Sequence, residues 1–156
     1  MTTRLGSNTD IHIKRIAQHI KEIGMMHAHQ EPEYINREVI ENEDAEEYCR
    51  GIDGKTSFIV IAEDGKELAG FLKVVIKEIE PFFKPNKVLY LDQIFVLENF
   101  RKRGVSKLLI AKAEELARSK KIKLLKARVY QFNAPAQQTL KSSNFKQLYS
   151  EYFKAL

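Results

Sequence analysis

Apolar positions recur along this chain with two different periods, and the switches between them mark its elements. Between Asp10 and Gly24, the residues Ile11, Ile13, Ile16, Ala17 and Ile20 share one side of a 3.6-residue repeat. That predicts an amphipathic helix, capped by Thr9 or Asp10 and ended by Gly24, after a short start around Thr3–Leu5. Residues 25–37 have no period and hold His27, His29, Pro32 and Tyr34, which predicts an irregular segment before a second helix within Glu38–Arg50. The pattern then changes. Ser57–Glu63 (S-F-I-V-I-A-E) is rich in β-branched and aromatic residues, Asp64-Gly65 signals a turn, and Leu68–Ile79 follows as an antiparallel partner. Pro81 and Pro85 break the chain before another strand, Val88–Leu97. A basic turn at Arg101–Ser106 leads into a helix reaching about Lys120, with Val105, Leu108, Leu109, Ala113 and Leu116 on its buried stripe. Leu124–Tyr130 predicts a strand, Asn133 caps a short helix to about Ser143, and Phe145–Phe153 is strand-like again.

This order predicts an α/β fold, a mixed sheet with a parallel crossover in the middle. No repeat, low-complexity tract or Pro/Gly-rich linker divides the chain, so residues 1–156 read as a single domain. At 44% apolar and 30% charged residues the composition is globular, not disordered. No apolar run approaches the roughly 20 residues that span a bilayer. The first residues carry no charged-then-apolar signal, so no membrane and a cytoplasmic location are expected. Cys49 is the only cysteine, which excludes an internal disulfide, and no Cys/His spacing suits zinc, so no metal is expected. The charge is unevenly placed. Residues 1–98 hold 12 Lys/Arg and 18 Asp/Glu (net −6), whereas residues 99–156 hold 14 Lys/Arg and 3 Asp/Glu (net +11). Such polarity suits an anion at one half and a cation at the other; nucleic acid and a phosphorylated cofactor are both candidate anions.

The stretch Leu91–Leu109 (L-D-Q-I-F-V-L-E-N-F-R-K-R-G-V-S-K-L-L) bears most directly on chemistry. A strand delivers the chain to Arg101, Gly104 permits close backbone approach, and the N–H groups of Lys102 to Lys107 open onto a helix. A nest of that kind holds a pyrophosphate, with Arg101, Lys102 and Arg103 adding attraction. The same residues also suit a plain basic turn capping a surface helix.

Two blocks resemble a known family. V-L-E-N-F-R-K-R-G-V-S-K-L-L is similar to the pyrophosphate-binding motif of the GNAT superfamily of N-acetyltransferases, with Arg101, Gly104 and Ser106 at its Arg/Gln-x-x-Gly-x-Gly/Ala positions. Ser106 departs from the usual Gly or Ala but stays small. In Val129–Phe145, the residues Asn133, Ala134, Ala136, Asn144 and Phe145 match the family's second block, with Asn144 where Gly is common. The resemblance implies a mostly antiparallel, twisted sheet of six to seven strands with a parallel, splayed central pair, flanked by about four helices. It also implies acetyl-CoA as co-substrate. The backbone of Ile94, Phe95 and Val96 would hold the pantetheine and the thioester carbonyl. The loop Arg101, Lys102, Arg103, Gly104, Val105, Ser106 and Lys107 would hold the pyrophosphate, and Asn133 would reach the cofactor arm or simply cap its helix.

The family often places an acidic residue on the fourth strand, which makes Asp92 the candidate base; strict alternation puts it on one face with Ile94 and Val96, and Gln93 and Phe95 on the other. Alternatively Asp92 pairs with a nearby Lys or Arg. Leu140 stands where the family often has a Tyr that protonates the leaving thiolate, and Leu donates no proton; Tyr130, Tyr149 or water would have to serve. For the acceptor, the loop residues Glu33 and Tyr34, with Tyr130, are the candidate contacts. An acidic rim there suits a small cationic amine, although E-N-E-D-A-E-E also suits the first turns of a solvated helix. A protein or peptide lysine or N-terminal acetyltransferase and a non-catalytic acyl-CoA-binding module are the alternatives. Nucleic acid is not expected as partner, because no aromatic platform interleaves with the basic runs. The family often forms homodimers, and the edge of Phe145–Phe153 offers a place to join a partner chain.

Overall fold

The computed structural model describes every residue from Met1 to Leu156. The chain forms β1 (Thr2–Gly6), α1 (Ile13–Gln30), α2 (Arg37–Asn42), α3 (Ala45–Arg50), β2 (Ser57–Asp64), β3 (Glu67–Glu78), β4 (Lys87–Val96), α4 (Val105–Ser119), β5 (Leu125–Ala127) and α5 (Ala134–Ser142). The five strands make one sheet in the order β1-β2-β3-β4-β5. All neighbours are antiparallel except β4 and β5, which run parallel. The α/β class and the parallel pair agree with the sequence; the six to seven strands and about four helices do not, since there are five of each. The parallel pair also lies at an edge of the sheet and not at its centre.

The missing strand is Phe145–Phe153, which joins no ladder. Strand propensity needs an edge to pair with, and β5 offers a ladder of only three residues. Aromatics on alternate faces of this segment also leave it no single apolar face to bury. Leu148, Tyr149 and Tyr152 stay 71%, 61% and 91% exposed. The edge expected to meet a partner chain is therefore not formed.

The extra helix comes from Glu38–Arg50, which breaks into α2 and α3. Asn36 and Asp44 each cap their own short helix, accepting from the amides of Val39 and Glu46. Gly24 does not end α1, which continues to Gln30. A Cβ at Gly24 would lie 3.1 Å from Ile40 Cγ2, so the glycine instead lets α2 pack closely on α1. Ile11, expected on the helix face, precedes α1 and is 82% exposed.

The helix α4 crosses β1 to β4 on one face of the sheet. Val105, Leu109, Ile110, Ala113 and Leu116 are buried there, whereas Leu108, expected on the stripe, is 42% exposed. Each buried Leu or Ile stabilises by about 1.5–3 kcal/mol. The exposed pairs Lys112–Glu115 and Arg118–Glu114 on the outer face are screened by solvent and add little. Burial, not surface charge, therefore holds α4 in place. The first three helices cover the opposite face, where His19 of α1 stacks on Phe95 of β4 with ring centroids 4.6 Å apart.

Gly70 on β3 sets the distance between α4 and β4. A Cβ there would lie 2.7 Å from Phe95 O, 3.3 Å from Val96 Cα and 3.2 Å from Val105 Cγ1. Gly70→Ala must displace backbone, and a loss of about 1–3 kcal/mol is expected in urea unfolding. Gly51→Ala, at φ −68° with its nearest contact at 3.5 Å, serves as the control and should stay within about 0.5 kcal/mol of the wild type. Equal stabilities for the two variants would show that β3, β4 and α4 are not locked at Gly70.

Candidate active site

The ladder between β4 and β5 has three rungs, Leu89–Leu125, Tyr90–Lys126 and Leu91–Ala127. The ladder between β3 and β4 runs on to Gly70–Val96. From Asp92 onward, the edge of β4 away from β3 thus has no strand beside it. Its N–H and C=O groups on that side, apart from the Val96 carbonyl that accepts from Arg101, are free to bind an extended ligand. The half-buried Ile94, Phe95 and Val96 lie in this open half.

The register of β4 slips at the same place. Lys73 pairs with Gln93 and Val74 with Leu91, so Asp92 is a bulge residue with no partner in β3. Strict alternation, which groups Asp92 with Ile94 and Val96, is thereby overturned. The bulge turns Asp92 to the same face as Gln93 and Phe95, the face covered by α1 and α3. There its carboxylate accepts from the Tyr48 hydroxyl of α3 and lies 3.8 Å from Lys73 Nζ. Lys73 is buried at 7% exposure, and its ammonium sits 3.1 Å above the Tyr48 ring centroid. Burial lowers the Lys73 pKa, while the Asp92 charge opposes that shift. Burial, reinforced by the hydrogen bond to Asp92, pushes the Tyr48 phenol well above its ordinary value. The pairing of Asp92 with a nearby Lys is thus present, together with a hydrogen bond from a tyrosine 44 residues away.

Beyond β4 the chain makes a 3₁₀ turn at Glu98–Phe100 and enters the basic loop. Lys102 adopts φ +60° and Gly104 φ +79°, so two left-handed residues turn the backbone into α4. The N–H groups of Lys102, Arg103, Gly104, Val105, Ser106 and Lys107 donate to no backbone carbonyl. Six consecutive free amides at the positive end of a fifteen-residue helix form an anion cradle. The side chains divide. Arg101 Nε folds back to donate to Val96 O at 3.2 Å, tying the loop to the open end of β4. Arg103 turns away to Asp64, 3.3 Å distant, and lies over the Phe100 ring.

Asn133 caps α5, its Oδ1 accepting from Ala136 N at 3.1 Å. Asn144 ends the same helix at φ +63°, the left-handed conformation that Asn tolerates. Leu140 is half-buried on α5. Glu33 and Tyr34 line an open hollow of about 700 Å³ at the turn between α1 and α2, and Tyr34 stacks on Phe153. Tyr130 stacks on Phe132 at 5.2 Å and packs at a tilt against His27 at 4.7 Å. A smaller cavity of about 200 Å³, lined by Gln93, Tyr48 and Lys21 among others, shares no residue with the hollow at Glu33 and Tyr34.

Sequence reasoning does not single out Tyr48, Lys73 or Gln93. Lys73 leaves a signal, a lone charge inside the apolar run F-L-K-V-V-I. Tyr48 leaves none, because only the packing of α3 over the bulge brings it to Asp92. No group of three or more His, Cys, Asp or Glu residues is placed to hold a metal ion, and no helix is long and apolar enough to cross a membrane.

Several solved structures share this architecture. The tetramutant of the BH1408 protein from Bacillus halodurans is 16% identical with a TM-score of 0.81, over 100% of both chains. The aminoglycoside N-acetyltransferase AAC(6')-Iy in complex with CoA is 20% identical with a TM-score of 0.70, over 99% of this chain and 98% of that one. The ribosomal-protein-alanine N-acetyltransferase from Brucella melitensis biovar Abortus 2308 is 14% identical with a TM-score of 0.70, over 100% of both chains. At such identities the likeness is one of fold. Comparison with curated proteins gives no significant match. The family model for the acetyltransferase (GNAT) family matches residues 23–145, which include the parallel pair β4 and β5, the bulge and the anion cradle. With most of its length matched, the chain belongs to the acetyltransferase (GNAT) family.

Proposed function

We propose that this chain transfers an acetyl group from acetyl-CoA to a primary amine of a small cationic molecule, by direct attack within a ternary complex. The observation that carries the reading is the run of six free amides from Lys102 to Lys107, set beside the open edge of β4. In this reading the cradle takes the pyrophosphate, and the backbone of Ile94, Phe95 and Val96 takes the pantetheine. One N–H of that edge stabilises the oxyanion, a contribution of about 3–4 kcal/mol in comparable sites. Asn133 uses its Oδ1 as a cap, which leaves its amide NH₂ for the cofactor arm. Asp92 accepts the proton of the attacking amine, and Tyr48 and Lys73 hold its carboxylate in position. Glu33, Tyr34 and Tyr130 would meet the rest of the acceptor. Support for a small-molecule amine comes from two neighbours of similar fold. One is AAC(6')-Iy with the bisubstrate analogue CoA-S-monomethyl-acetylneamine, and the other is the metagenomic aminoglycoside acetyltransferase meta-AAC0020 with sisomicin.

A second reading, an acyl-CoA-binding module without turnover, is favoured by Leu140, which has no proton to give the leaving thiolate. A thiolate leaves unassisted more readily than an alkoxide, so the apolar side chain does not prevent transfer.

Calorimetric titration tests the cradle. The wild type should bind acetyl-CoA, and Gly104→Glu should weaken binding at least ~100-fold, because its carboxylate faces the phosphates from a backbone at φ +79°. A wild type that binds no acetyl-CoA would sink the reading and return the basic half to trials with nucleic acid. For the base, Asp92→Asn keeps an oxygen for Tyr48 but cannot take a proton. Amine-dependent thiol release should fall ~10²–10⁴-fold at unchanged acetyl-CoA affinity. An undiminished rate would remove Asp92 from catalysis, and no thiol release from the wild type with any amine would favour the binding module.

A further inference from the structure

The basic run at residues 119–128 contains no aromatic residue, and from the sequence alone that speaks against nucleic acid. The fold brings rings to it from two distant segments. Lys126 Nζ of β5 lies 6.0 Å from the Phe83 ring, in the turn between β3 and β4, and 5.5 Å from the Tyr149 ring, in the C-terminal segment. Tyr90 pairs with Lys126 across the parallel ladder, which puts both on one face of the sheet. Lys77 Nζ in turn lies 3.9 Å above the Tyr90 ring. Cations and rings thus alternate along one tract, from Lys77 and Tyr90 to Lys126, with Phe83 and Tyr149 at its end.

The tract is open and its charge is uncompensated. Phe82 and Phe83, with ring centroids 4.3 Å apart, are 74% and 39% exposed, and Tyr149 is exposed as well. The segments that build it, residues 77–90, 119–128 and 146–154, hold ten Lys/Arg against three Asp/Glu, namely Glu78, Glu80 and Glu151. None of those ten cations forms an ion pair. Asp92, two residues beyond Tyr90, is taken up by Tyr48 and Lys73. Nor is the tract a fringe of the anion cradle. Tyr90 precedes Val96 by six residues of β4, about 20 Å of strand, and the cradle lies beyond Val96.

Exposed rings among unpaired cations suit an anionic partner, and the layout chooses between two kinds. A membrane-binding surface gathers its apolar side chains beyond the charges. Here the ammonium groups lie against the rings, in the alternation that a single nucleic-acid strand offers with its bases and phosphates. We propose that this tract binds single-stranded nucleic acid, with bases stacking on Phe83 and Tyr149 and phosphates held at Lys77 and Lys126. A duplex hides the base faces that the rings would meet, so the strand must be unpaired. This binding function is separate from acetyl transfer and does not depend on it.

The test follows the fluorescence anisotropy of a labelled oligouridylate and a labelled oligothymidylate of about 20 nucleotides, alongside acetyl-CoA affinity and thermal unfolding. The wild type should bind one or both with Kd of about 1–100 μM near physiological salt, and a preference between them identifies the strand as RNA or DNA. Phe83→Ala combined with Tyr149→Ala should weaken binding ~10-fold or more through lost stacking, at unchanged acetyl-CoA affinity. Lys126→Glu should weaken it too and flatten its salt dependence. Lys14→Glu, the same charge change on α1, should stay within about twofold of the wild type. A wild type that binds neither strand would overturn the proposal. So would an equal affinity for a duplex of the same length, an unaffected ring variant, or an equal loss in Lys14→Glu. Displacement of the strand by saturating acetyl-CoA would move the binding to the cradle and overturn it as well. Binding only to phosphatidylserine vesicles, lost in the same variants, would assign the tract to a membrane surface instead. A wild type that binds the strand but no acetyl-CoA would overturn the acetyltransferase reading and leave this one standing.

Discussion

The parallel ladder between β4 and β5 stops at Leu91–Ala127, while the antiparallel ladder between β3 and β4 continues for five more residues of β4. Held on one side and released on the other, β4 presents a rigid edge of unpaired peptide groups, and the site depends on that asymmetry. A strand free on both sides would be too mobile to hold a ligand in register. A strand paired on both sides would have no groups left to offer. The bulge at Asp92 coincides with the point of release and turns a carboxylate out of the alternating pattern onto the face covered by α1 and α3.

Packing on the two faces of the sheet then divides the labour. On one face Gly70 admits Val105 and the start of α4 against β4, which brings the six free amides of the basic loop beside the open strand edge. Arg101 donates to Val96 O and so links that loop to the strand edge. On the other face Tyr48 and Lys73 enclose Asp92. An ammonium as buried as that of Lys73 is costly without a counter-charge, and a carboxylate beside it is better satisfied with a hydroxyl donor as well. The three groups compensate one another at the cost of a polar cluster in an otherwise apolar layer, an arrangement typical of sites that trade stability for chemistry.

Much of this was readable from local patterns. Burial on both faces makes β2 and β3 continuous apolar runs, so their limits were visible to within a residue or two. Gly104 and the basic residues around it marked the cradle, because a left-handed turn at a helix start has few residue solutions. Asn133 was legible as a cap and Asn144 as a left-handed terminus for the same local reason. The misreadings were of another kind. Gly24 resembles a helix terminator, yet it serves the approach of a helix sixteen residues further on. Phe145–Phe153 has strand propensity, yet the edge strand β5 is only three residues long and leaves it too little to pair with.

What the sequence by itself determined is the order of elements as far as α5, the crossover and the basic loop at Arg101–Lys107, whereas Asp92 became a candidate only through the family resemblance. The first three follow from periods, turn residues and charge within a few positions of each other, where backbone sterics and local hydrogen bonding decide the outcome. Only the tertiary structure decided the face that Asp92 occupies, its contacts with Tyr48 and Lys73, and the narrow cavity at Gln93. A bulge shifts register by one residue through pairing with a different strand, and α3 reaches β4 only through packing over α1. No local pattern encodes such contacts, because their energy arises between segments that meet only when the whole core closes.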